Sequence, residues 1–201
     1  MSALPKRKNL TVDEYLAIER AAESKSEFFD GELFAMAGAS HKHNEVNENL
    51  SIELGLRLRG SGCRSLSRDM RVRTDRSGLY CYPDLIIVCG KPEFADALDD
   101  ILTNPTVIVE VLSPSTANYD RGTKFRLYQK IESLKEYILV AQDEAVIERF
   151  VRQADESWAL VSFVGIDAVL TLISVPVQIP LADIYAGVEF EEANPTEGGR
   201  R

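Results

Sequence analysis

The sequence predicts an α/β (α+β) fold, a mixed β-sheet flanked by helices with a C-terminal β-meander extension. Three observations carry this. Two short, almost wholly apolar β-branched runs, Asp84–Cys89 and Thr106–Leu112, read as buried central strands. Helical patterns precede and follow them. From Glu136 onward, short alternating runs separated by turn residues read as consecutive antiparallel strands. At 201 residues with 45% apolar content, the chain can bury a sizeable core. We expect one domain over 1–190 and a disordered acidic, glycine-rich tail over 191–201.

The elements follow in order. Thr11-Val12-Asp13-Glu14 has the form of a capping box and should open a helix through about Ala22. Glu27 to Met36 reads as a hairpin, because Asp30-Gly31 is a strong two-residue turn signal between apolar arms. Val46, Leu50, Leu54 and Leu58 recur at four-residue spacing, which predicts a helix from about His41 to Arg59, ended by Gly60-Ser61-Gly62. Cys63 to Arg73 alternates well enough for one or two strands, and Arg76-Ser77-Gly78 reads as a turn. The acidic stretch between the central strands, Lys91 to Asn104, reads as a loop with a short helix. Ser113-Pro114-Ser115-Thr116 breaks the chain before a helix from about Asn118 to Ile131. The meander takes in Glu136–Ala141, Ala145–Arg152, Trp158–Val164 and Val169–Ile173, with Val175–Pro180 as an edge piece.

Composition bounds the function. No apolar run approaches the ~20 residues needed to cross a bilayer, and no apolar segment follows the basic start Met1 to Lys8, so neither a membrane partner nor a signal peptide is expected. Cys63, Cys81 and Cys89 match no zinc spacing and read as idle thiols in a reducing cytoplasm. A net charge of -9 speaks against a nucleic-acid partner when taken alone. The distribution qualifies this. Arg57, Arg59, Arg64, Arg68, Arg71, Arg73 and Arg76 form a local basic stripe, while the acids gather at Glu93–Asp100 and Glu189–Glu197. Such a stripe can meet phosphates, and it can equally be a solvated surface paired with nearby acids.

The chemistry lies in two carboxylates on apolar strands. Burying an unpaired carboxylate is costly, so such groups have a partner or bind a metal. A hard divalent cation, magnesium or manganese, takes oxygen ligands and needs only one or two carboxylates, and Asp84 and Glu110 would supply them. Pro83 fixes the backbone just before the first. Such an ion can lower the pKa of a bound water and neutralise charge on a phosphate. Lys124 shares a helical stripe with Asp120, Leu127, Tyr128 and Ile131, the face expected to meet the sheet. It can orient water or stabilise charge there, or simply pair with Asp120.

Three segments resemble a known family. They are Phe28-Phe29-Asp30-Gly31-Glu32-Leu33 through Met36 to Ser40, then Tyr82-Pro83-Asp84, then Glu110 to Thr116 with Asp120-Arg121, Lys124, Tyr128 and Glu136-Tyr137. Together they are similar to the Uma-type family within the PD-(D/E)XK, or restriction-endonuclease-like, nuclease superfamily. The match runs from about Thr11 to Val151. Leu112 stands where the superfamily's lysine would be, and Lys124 matches the relocated lysine of the Uma-type family. The resemblance implies a restriction-endonuclease-like core. It also implies metal ligands at Asp84 and Glu110, a catalytic lysine at Lys124, and supporting roles for Glu32 (Glu27 its weaker rival), His43 and Asp120. The expected function is an endonuclease hydrolysing DNA with Mg2+ or Mn2+, with Arg68, Arg71 and Arg73 on the phosphates, as a cytoplasmic homodimer. The alternative is a non-catalytic interaction or regulatory module on an inherited nuclease fold, favoured by the acidic charge and the displaced lysine.

Overall fold

The computed structural model describes residues 9–36, 38–67, 69–75 and 78–190. The expected tail at 191–201, Arg68 and the Arg76-Ser77 part of the expected turn lie outside them.

Helix α1 (Val12–Ala21) starts at the predicted capping box. The Thr11 side chain accepts from the Glu14 amide, and the Glu14 carboxylate accepts from the Thr11 amide. Strands β1 (Ser26–Phe29) and β2 (Glu32–Ala35) form the predicted hairpin. Its turn residues Asp30 and Gly31 have φ of 50° and 77°, which selects Asp-Gly there. Helix α2 (His41–Arg57) is capped by Ser40, whose hydroxyl accepts from the His43 amide.

The central sheet has six strands in the order β11-β10-β9-β8-β6-β3. They are β3 (Cys63–Ser67), β6 (Leu85–Cys89), β8 (Val107–Leu112), β9 (Glu136–Ala141), β10 (Val146–Arg152) and β11 (Trp158–Val164). Only the β8–β9 pair is parallel, so the sheet is mixed as expected. A second sheet has the order β2-β1-β5-β4-β7, with β4 (Arg71–Arg73), β5 (Tyr80–Cys81) and β7 (Ile101–Leu102).

Alternation along the central strands builds two cores. Leu85, Ile87, Val107, Val109, Val111, Ile138 and Val140 face α2 and the C-terminal helix α5 (Leu181–Ile184). Ile86, Val88, Ile108, Leu112, Tyr137 and Leu139 face the opposite way. That second face meets a helical segment built of α3 (Ala117–Tyr119), a π-helical turn (Asp120–Lys124) and α4 (Phe125–Tyr128), together with the five-stranded sheet. Tyr15 of α1 packs on Phe28, Leu33, Tyr80 and Ile101.

Several expectations need correction. Cys63 and Cys89 are not thiols; they form a disulfide, because β3 and β6 pair antiparallel with those two residues directly opposite. Only Cys81 is a free thiol, and it is buried. Lys91–Asn104 contains no helix; Ile101 and Leu102 are buried and form β7, parallel to β4. The expected meander extension is there, with β9, β10 and β11 continuing the central sheet. Its expected fourth strand, β12 (Val169–Thr171), leaves to pair with β13 (Gln178–Pro180). The helix after Ser113 is not uniformly α-helical, because it carries the π turn.

Candidate active site

Asp84 immediately precedes β6. In the antiparallel β6–β8 ladder Leu85 lies opposite Val109 and Ile86 opposite Ile108. One step further along that register puts Asp84 opposite Glu110, on the same sheet face, at the spacing where cross-strand side chains meet. The Val111 amide donates to Asp84 Oδ2 at 2.8 Å, which fixes this carboxylate against β8. Asp84 Oδ1 is 3.1 Å from Nε2 of His43, presented by the first turn of α2.

Glu110 is 4% exposed. Its Oε1 accepts from the Tyr128 hydroxyl at 2.7 Å and lies 2.8 Å from Lys124 Nζ. The Tyr128 phenol has one proton and spends it on Glu110, so the contact of Cys81 Sγ with the same oxygen at 3.1 Å has the thiol as donor. The Lys124 ammonium is also 3.4 Å from Glu27 Oε1 and 3.7 Å from Asp120 Oδ1. The π turn brings Asp120 and Lys124 inward together, on the stripe the spacing predicted; such turns recur at functional sites.

Electrostatics follow from this packing. Burial pushes the Glu110 carboxyl up to about 8, against the pull of Lys124, and the negative charges of Asp120 and Asp84 push the same way as burial. Burial alone would lower the Lys124 ammonium, but Glu110, Glu27 and Asp120 outweigh it and hold Lys124 well above its ordinary value. Glu27, Asp84, Glu110, Asp120, Lys124 and His43 all line one cavity of about 420 Å3. Four carboxyl groups face one lysine there, a surplus of acidic side chains that suits a cation. Among the described residues no three His, Cys, Asp or Glu side chains already converge on one point. Asp84 and Glu110 are oxygen donors that could hold a hard cation such as magnesium or manganese.

A family model described as "Uma2: Putative restriction endonuclease" matches residues 12–182. The chain belongs to the Uma2 family. Two uncharacterized proteins of Synechocystis sp. (strain ATCC 27184 / PCC 6803 / Kazusa) are relatives. One, sll1609, is 38% identical over 168 residues, covering 84% of this chain and 95% of that protein. The other, slr1290, is 33% identical over 181 residues, covering 90% and 94%. The crystal structure of a "putative nuclease belonging to DUF820" from Anabaena variabilis ATCC 29413 matches with a TM-score of 0.72 at 16% identity, over 88% of this chain and 97% of that one. At that identity the likeness is one of fold. It agrees with the restriction-endonuclease-like core, to which Uma2 membership also points.

In this Uma2 chain the structure gathers Asp84, Glu110, Lys124, His43 and Asp120 around one cavity. It does not bring Glu32 there. Glu32 sits half-buried on β2 opposite Phe29, while Glu27, on the partner strand of the hairpin, reaches Lys124. Arg71 points inward rather than toward a phosphate. It is 4% exposed and donates to the Tyr82 hydroxyl at 3.0 and 2.6 Å and to Asp100 at 3.3 Å. Arg73 is half-buried on β4, opposite Tyr80, outside the cavity wall. Sequence reasoning gave no role to Tyr128 or Tyr119. Tyr128 shares the Lys124 stripe, which is the signal that could have found it.

Proposed function

We propose that this chain is a divalent-metal-dependent endonuclease acting on DNA phosphodiester bonds. One observation supports it above the rest: Asp84 and Glu110 stand side by side on one sheet face, with the Lys124 ammonium 2.8 Å from Glu110. Those two carboxylates would hold Mg2+ or Mn2+. When bound, the cation supplies Lewis-acid stabilisation of a phosphate and a more acidic water. The protein's own groups do the rest. His43 and the Val111 amide hold Asp84 in place. Tyr128 and Lys124 orient Glu110. Lys124 offers N–H donors to a water or to charge developing on phosphate oxygens as a P–O bond breaks. A DNA substrate fits a cytoplasmic location.

The reading includes a homodimer. Strand β11 is an edge of the central sheet, and its sequence Trp158 to Val164 has no charge and no proline to block pairing. Leu160, Val161 and Val164 are exposed on it. Antiparallel pairing about a two-fold axis at Val161 sets Trp158 against Val164, Ala159 against Phe163 and Leu160 against Ser162, large beside small. A partner with a charged strand would gain no counter-charge there.

The test is incubation of plasmid and oligonucleotide DNA with purified protein and Mn2+ or Mg2+. Cleavage that EDTA stops and Asp84→Ala abolishes supports the reading; cleavage by Asp84→Ala rejects it. A non-catalytic module would keep the buried charge network only as structure. It predicts no cleavage and no rise in melting temperature with millimolar Mn2+.

A further inference from the structure

We infer that the DNA this site accepts is unpaired, a single strand or a frayed end, rather than intact duplex. The inference rests on the hydrolytic reading and adds the substrate class. Three observations carry it.

Two of the acting groups are recessed. Glu110 and Lys124 are 4% and 5% exposed, and with the Asp84 side chain, 21% exposed, they line a cavity of about 420 Å3. That volume suits one small-molecule-sized group, such as a single nucleotide unit. Entry to such a recess favours a nucleotide that is already unpaired, because splaying one out of a duplex costs free energy.

The wall has the chemistry of base contact. Phe34, Met36, Tyr82 and Tyr119 line it beside the charged groups. Aromatic faces stack on any base, and this is how single strands are held without sequence reading. The Tyr119 hydroxyl is buried and has no hydrogen-bond partner among the described residues. A buried polar group is normally satisfied, so this hydroxyl leaves hydrogen-bonding capacity unused in a residue of the cavity wall.

Part of the stripe that would track a duplex is spent internally. Arg71 is buried on Tyr82 and Asp100. Arg57 is engaged with Glu53, Asp183 and the Gln178 carbonyl. On a chain of net charge -9, this leaves less of the phosphate neutralisation on which duplex affinity depends.

The test measures binding and cleavage separately. Fluorescence anisotropy with labelled oligonucleotides in Ca2+ compares one sequence as single strand, tailed duplex and blunt duplex. We expect the single strand and the tail to bind about tenfold more tightly than the blunt duplex, the scale of one base stacked on an aromatic ring. Phe34→Leu, which keeps an apolar side chain but removes the ring, should lose most of that preference, and Tyr119→Phe part of it. With Mn2+, cuts should fall in the unpaired tail. Equal or tighter binding of blunt duplex overturns the inference, as does binding of neither form. Selective single-strand binding that Phe34→Leu weakens, with no cleavage of any form, sustains the inference and removes the hydrolytic reading instead.

Discussion

Lys124 is held by Glu110, Glu27 and Asp120 in a place water barely reaches. Replacing it with methionine keeps the stem and removes the charge, leaving buried carboxylates facing one another. We expect a loss of about 3–5 kcal/mol, measured by urea denaturation, the usual result of breaking a buried ion pair from one side. Tyr128→Phe is gentler. It removes one donor from Glu110 while Lys124 remains, so the fold should survive. Partners that orient a ligating side chain matter about 10–100-fold in metal affinity, so Mn2+ affinity measured by titration calorimetry should drop by at least about tenfold. Glu110 also sets a pH response. Its folded value of about 8 lies above its ordinary 4.5, so the fold favours the protonated form. That stabilisation is complete below about 4.5 and is lost as pH rises through 8. The melting temperature of the metal-free protein should therefore fall across that window, and Glu110→Gln should flatten this component of the decline.

At the scale of elements, local signals were legible wherever the chain makes its own geometry. The Thr11–Glu14 box, the Asp30-Gly31 turn and the inward stripe of Lys124 and Tyr128 each depend on residues a few positions apart, and each forms as read. Thr11→Ala should cost about 1 kcal/mol by loss of the cap, visible as a lowered urea midpoint. What escaped was set by pairing between distant segments. The Cys63–Cys89 bond exists because register places them opposite, and no spacing rule encodes that. Glu27 rather than Glu32 reaches Lys124 because the hairpin docks by β1, which pairs with β5, leaving β2 outermost. Arg71 looked like a phosphate contact because its arginine-rich neighbourhood hid the fact that β4 is covered by Tyr82 and Asp100. The π turn was invisible for another reason, since helical spacing of three and four residues fits either geometry over one turn.

At the scale of the whole molecule, two sheets share one core face, and each can be tested through its free boundary. Val161 lies at the middle of the uncharged edge strand β11. Val161→Lys would place two like charges together across a two-fold axis. We expect light scattering to show the proposed dimer dissociating to monomer while circular dichroism stays unchanged.

The contacts of a single ammonium join three separate pieces of chain. Glu110 comes from the six-stranded sheet, Glu27 from the five-stranded one, and Lys124 from the helical segment packed against both. A nascent or partly unfolded chain whose hairpin has not yet docked holds only a fragment of this constellation. Whatever chemistry the centre supports is thereby confined to the finished molecule.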